Sequence, residues 1–126
     1  MGKAEIRAKI SALRRERVAL KQLKERYQNM MRDLRSASDE VTRSMMKLDN
    51  ATTLLAKHYD SEVSKQKIGE IGVERDKIGE INGEINQLWS SAERKKREIE
   101  DRIKEIDEEI AELREILASM EENDES

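Results

Sequence analysis

No cysteine, proline or phenylalanine occurs among the 126 residues, and aromatic side chains make up only 2% of them. Without cysteine there is no disulfide, no thiolate nucleophile and no thiolate metal site. Average usage of roughly 5% would supply about six prolines. Their absence means that no residue withholds a backbone N–H or clashes with the preceding helical turn. His58 is the single histidine, so a zinc site would have to use carboxylates almost alone, which zinc rarely does. No apolar run approaches the ~20 residues that span a bilayer. The N-terminal Met1-Gly2-Lys3-Ala4-Glu5 lacks the apolar stretch of a signal peptide. A cytoplasmic protein is expected, with any export by a route other than the general secretory one.

What the chain does contain is charge and period. Charged residues make up 42% of it, and the mean hydropathy is −0.92. Such polarity would suit a disordered chain, but the net charge is only −3 and the apolar residues recur regularly. One series spaced by seven runs Ile6, Leu13, Leu20, Tyr27, Leu34, Val41, Leu48 and Leu55. A second runs Ile71, Ile78, Ile85, Ala92, Ile99, Ile106, Leu113 and Met120. A straight helix drifts off a seven-residue repeat, so holding it over about eight heptads implies supercoiled helices packed on one another. The fold expected is all-α: a long antiparallel two-helix coiled-coil hairpin, completing a helical bundle with a partner or a second copy.

Helix 1 is predicted over about residues 4–57, a turn at 58–61 centred on Tyr59 and Asp60, and helix 2 over 61–120, all in one domain. An acidic tail at 121–126 is expected to fray. Asp60 or Ser61 can cap the second helix, with Glu62 favourable in its first turn. Ser36–Glu40 is the weakest part of helix 1 and a place where it can kink. Asn50-Ala51-Thr52-Thr53 is the competing turn site, because its polar residues favour caps and turns. Gly69, Gly72, Gly79 and Gly83 weaken helix 2, at about 1 kcal/mol each against alanine.

Residues 1–36 hold eleven Lys/Arg against four acids, and residues 98–126 hold thirteen acids against three Lys/Arg. Folding back lays the acidic end beside the basic one, and complementary flanking charges orient coiled coils. The asymmetry therefore reads as internal pairing, and nucleic-acid binding is not expected. The basic clusters at Arg14-Arg15 and Arg94–Arg97 also lack interleaved aromatics for stacking bases. Pairing the two series across the turn puts 13 opposite 106, 6 opposite 113 and 34 opposite 85. That register brings Arg17 near Arg102 and Lys24 near Lys95, an unfavourable meeting of like charges.

No constellation for chemistry emerges, so neither catalysis nor a cofactor, metal or small-molecule substrate is expected. Glu98, Asp101, Glu105, Glu108, Glu109 and Glu112 form a solvated face and lack the Glu-x-x-His motifs of a di-iron bundle. The glycines follow no strand and precede no Gly-Lys-Ser/Thr, so they are not a phosphate loop. Binding features are clearer. The doublets Met30-Met31 and Met45-Met46 each place one side chain on the apolar stripe and one beside it, and flexible methionines suit surfaces that accept a partner. Trp89, the only tryptophan, reads either as a half-buried core residue or as an interface anchor. With Ile81, Ile85 and Leu88 these residues make the candidate partner interface, for a helical protein segment or a second copy.

Leu-x-x-Ala-x-x-x-Val at Leu34–Val41, the approach Leu48…Leu55…Tyr59 to a turn and the isoleucine heptads of helix 2 resemble a known family. They are similar to the small helical proteins encoded beside LXG-domain toxins of the type VII secretion pathway in Gram-positive bacteria. The resemblance covers Leu34 through Leu117. It implies a WXG-like hairpin that binds the helical LXG segment of a toxin and supports its stability and export. The chain departs from the WXG pattern in two places. Trp89 is followed by Ser90-Ser91 instead of x-Gly, and Tyr59 and Tyr27 are followed four residues on by Val63 and Met31, not by the acid of the export signal.

Overall fold

The computed structural model describes residues 2–58 and 60–125. Two helices account for nearly all of them: α1, Lys3–His58, and α2, Glu62–Glu125, with no strand among the described residues. They form an antiparallel helical hairpin. Tyr59, one of the two residues expected to centre the turn, lies outside the described residues. Ser61 caps α2: its hydroxyl accepts from the Ser64 N–H at 3.2 Å and its carbonyl from the Lys65 N–H at 3.1 Å. Glu62 follows in the first turn, where the helix dipole favours an acid.

Neither the weak stretch nor the competing turn site interrupts α1. Residues 36–40 and 50–53 are helical, and the Thr53 hydroxyl donates back to the Asp49 carbonyl at 2.9 Å. At the other end, α2 continues past Met120 to Glu125, through the stretch expected to fray. Ion pairs account for the difference, because Arg7 holds Glu121 at 2.9 Å and Lys3 holds Asp124.

The chain divides into two compact units. The first, Met1–Asn29 with Glu93–Ser126, contains the apolar core. Ile6, Ile10, Leu13, Ile106, Ile110 and Leu113 are buried together, and Leu20, Leu117 and Met120 pack against them. Every one is aliphatic or methionine, and each layer offers branched carbons to the next, which is why this seam closes. Ion pairs border it on two sides. Lys9–Glu109 and the bidentate Glu16–Arg102 pair lie on one, and Arg7–Glu121 on the other. The Arg102 guanidinium, donating to both oxygens of Glu16 at 2.9 and 3.1 Å, holds that carboxyl below the usual carboxylate range.

These pairs fix a register different from the expected one. The level midway between Glu16–Arg102 and Arg7–Glu121 sets Leu13 opposite Ile110, not Ile106, and Ile6 opposite Leu117. The cause is geometric. In an antiparallel coiled coil the two apolar positions of one heptad face the other type on the partner, so a series must not be matched with its own kind. The shift removes the clash of like charges: Arg17 meets Asp107 at 2.6 Å and Lys24 meets Glu100 at 3.6 Å.

The second unit, Met30–Ala92, is packed differently. Its seam residues Met31, Leu34, Val41, Met45, Leu48, Ile71, Ile78, Ile85 and Trp89 are all half-buried, and Ala92 is its one buried apolar residue among those described. Ser38 and Asn82 interrupt the seam and pair with each other, the Ser38 hydroxyl donating to the Asn82 carbonyl oxygen at 2.8 Å. A polar contact inside a coiled-coil seam lowers stability and specifies register.

Candidate functional site

The second unit has two unlike flanks. On one, Arg35 lies 5.9 Å from the Trp89 ring centroid, Asp49 pairs with Arg75, and the Met45 methyl carbon is 3.8 Å from where a side chain on Gly79 would begin. Leu34, Arg35, Ser38, Ile85, Asn86 and Trp89 line a shallow cleft of about 230 Å³ there, below the roughly 300–1,000 Å³ of small-molecule sites. The Asp49 carboxylate raises the already high pKa of Arg75, first by its hydrogen bond and then by its charge. This flank is thus occupied by the unit's own polar contacts.

The other flank is apolar. At 100° per residue, Met30 and Ala37 of α1 and Ile81 and Leu88 of α2 fall on the side of the seam away from Arg35 and Asp49. Met30, Ile81 and Leu88 remain 47%, 48% and 58% exposed, and Ala37 is half-buried. Of the heptad-equivalent positions in the first unit, Lys9, Glu16, Arg102 and Glu109 form ion pairs that close the flank, while Leu23 and Ile116 are exposed. In the second unit Met30, Ile81 and Leu88 leave uncovered hydrocarbon at neighbouring positions of both helices.

The eight residues predicted as an interface are therefore divided. Met30, Ile81 and Leu88 share the apolar flank. Met31, Met45, Ile85 and Trp89 are half-buried in the seam, and Met46, 60% exposed, points outward on the Arg35 side. The doublets behave as their spacing suggests, one methionine on the stripe and one beside it, but Met30 and Met46 fall on opposite sides. Trp89 is covered in part by its own Arg35.

Four residues of this flank are absent from the interface that the sequence predicts: Ala37, and Asp33, Glu40 and Glu84, which border the strip. The signal for the three acids is in the heptad, where each sits one position before a series residue, Leu34, Val41 or Ile85. Among the described residues no cluster of three or more His, Asp or Glu side chains could hold a metal ion, and no helix is long and apolar enough to cross a membrane. No protein-family model matches the chain, and no curated protein or solved structure is significantly similar to it.

Proposed function

We propose that the protein is a non-enzymatic helical adaptor, or targeting chaperone, that docks a partner helix on its second unit. The observation that carries this reading is the exposed strip Met30, Ile81 and Leu88 on both helices of the half-buried seam, a flank that in the first unit is closed in part by Lys9–Glu109 and Glu16–Arg102. Grouped apolar side chains left in water mark interaction surfaces. A two-helix seam that is only half-buried gains most from a third helix. Covering each half-exposed side chain adds about 1 kcal/mol, roughly half of what full burial supplies. The resemblance to proteins encoded beside LXG toxins suggests the partner: the helical LXG segment of a toxin bound for type VII export.

The test is to co-express the chain with the helical LXG segment of a type VII toxin and to measure mass by sedimentation equilibrium. The expected result is a stable complex that Leu88→Lys disrupts while the hairpin stays helical. A chain that remains monomeric beside the LXG segment overturns the toxin assignment. A dimer formed without any partner supports self-assembly as the function instead.

A further inference from the structure

Three carboxylates frame the apolar strip of the second unit. Asp33 and Glu40 run along its α1 edge, and Glu84 stands on its α2 edge between Ile81 and Leu88. Among the described residues none of the three takes part in an ion pair or a side-chain hydrogen bond, while Asp49, Glu70 and Glu74 of the same unit are paired. The cations of the same two edges lie at the strip's ends: Arg26 and Lys77 stand four residues before Met30 and Ile81, Lys77 paired with Glu74, and Lys47 follows Glu40 by seven, so the acids alone stand along its length. We infer that the occupant of this strip is an amphipathic helix carrying Lys or Arg on both sides of its apolar stripe. The inference rests on the partner-helix reading and specifies the chemistry of that partner.

Charge also decides against a second copy. Pairing this strip with itself about a two-fold axis would bring Asp33, Glu40 and Glu84 against their own counterparts, and like charges meeting across an interface oppose association. The basic part of a second copy is no substitute, because the apolar stripe of residues 6–13 is already buried in its own first unit. A helix with flanking cations meets both demands. Its stripe covers Met30, Ile81 and Leu88, and its long basic side chains lay their methylenes over Ala37 while reaching the three carboxylates.

The experiment uses the full chain and two designed peptides of about 28 residues, long enough to be helical. They share one leucine heptad face and differ only in carrying lysine or glutamate beside it. Binding is read by fluorescence anisotropy at about 0.05 M and about 0.5 M NaCl, which screens exposed charges strongly only at the higher value. The lysine peptide should bind about tenfold more tightly at low salt, the sum of three modest charge pairs, and the gap should close at high salt. The triple variant Asp33→Lys, Glu40→Lys, Glu84→Lys should reverse the preference, and Leu88→Lys should remove binding of both peptides. Circular dichroism confirms that these surface variants stay helical. Equal binding of the two peptides, still lost in Leu88→Lys, overturns the basic-partner inference and leaves the partner-helix reading standing. Binding of neither overturns both. A dimer of the chain alone that Leu88→Lys dissociates makes a second copy the occupant and also overturns the inference.

Discussion

At the scale of single residues, the glycines are the plainest case of sequence and structure weighing the same feature differently. Four glycines within 69–83 suggest a close backbone approach. Yet a side-chain carbon added at Gly69, Gly72 or Gly83 would meet nothing within 4 Å, and at Gly79 only the flexible end of Met45 at 3.8 Å. No glycine has a positive φ. Nothing inside the hairpin requires them, so they cost helix stability without an intramolecular return. Gly69→Ala and Gly83→Ala should each stabilise the protein by roughly 0.5–1 kcal/mol, since alanine loses less backbone entropy in a helix. Thermal or urea unfolding checks this. Destabilisation by either substitution would show a constraint on the backbone that the helix does not reveal. The same residue scale explains Trp89. Its position near the stripe was legible, but the choice between core and anchor turned on Arg35, a residue 54 positions away in sequence that lies over the ring.

At the scale of the helices, the division into two elements was readable because no proline interrupts either heptad series. The series could be named from spacing, and the cap of α2 from residue type as Asp60 or Ser61, of which Ser61 makes the contact. Register could not. Matching the two spaced-by-seven series to each other ignores that each apolar position faces the other type across an antiparallel pair, and the cross-helix ion pairs then select Leu13 opposite Ile110 over Leu13 opposite Ile106. Cysteines test the difference directly, since a disulfide demands Cα atoms within about 7 Å. The double variant Leu13→Cys, Ile110→Cys should oxidise within one chain several-fold faster than Leu13→Cys, Ile106→Cys, because about four residues of offset displace the second pair by roughly one turn. Equal rates would mean that the helices slide, and a faster 13–106 pair would restore the simple matching of the two series. The candidate site was hidden for a related reason. Whether an apolar side chain beside a stripe is covered depends on which flank it joins, and the flank follows from register. Met30 and Met46 look alike in sequence; the paired helices put them on opposite sides.

For the whole molecule, the distribution of buried hydrocarbon separates stability from binding. Among the described residues, seven of the eight buried apolar ones belong to the first unit and one, Ala92, to the second. The first unit is built from isoleucine and leucine layers bordered by ion pairs between the helices. The second contains four of the five glycines, the Ser38–Asn82 seam contact and every residue of the proposed docking strip. Surfaces that receive partners are drawn from the less stable end of a structure, where local opening is cheap. Amide exchange should therefore be uneven. Protection around Ile106 and Ile110 should exceed that around Val41 and Ile78 by at least about tenfold, which corresponds to ~1.4 kcal/mol of opening free energy. Hydrogen–deuterium exchange read by mass spectrometry resolves the two regions. Addition of the lysine-flanked peptide should slow exchange across residues 30–41 and 78–89 and leave 99–113 unchanged, because a ligand that binds the closed form adds its binding free energy to the units it covers. Uniform protection in the free chain would show that the half-buried seam is as stable as the buried one. Slowing confined to residues 99–113 would move the docking surface to the first unit.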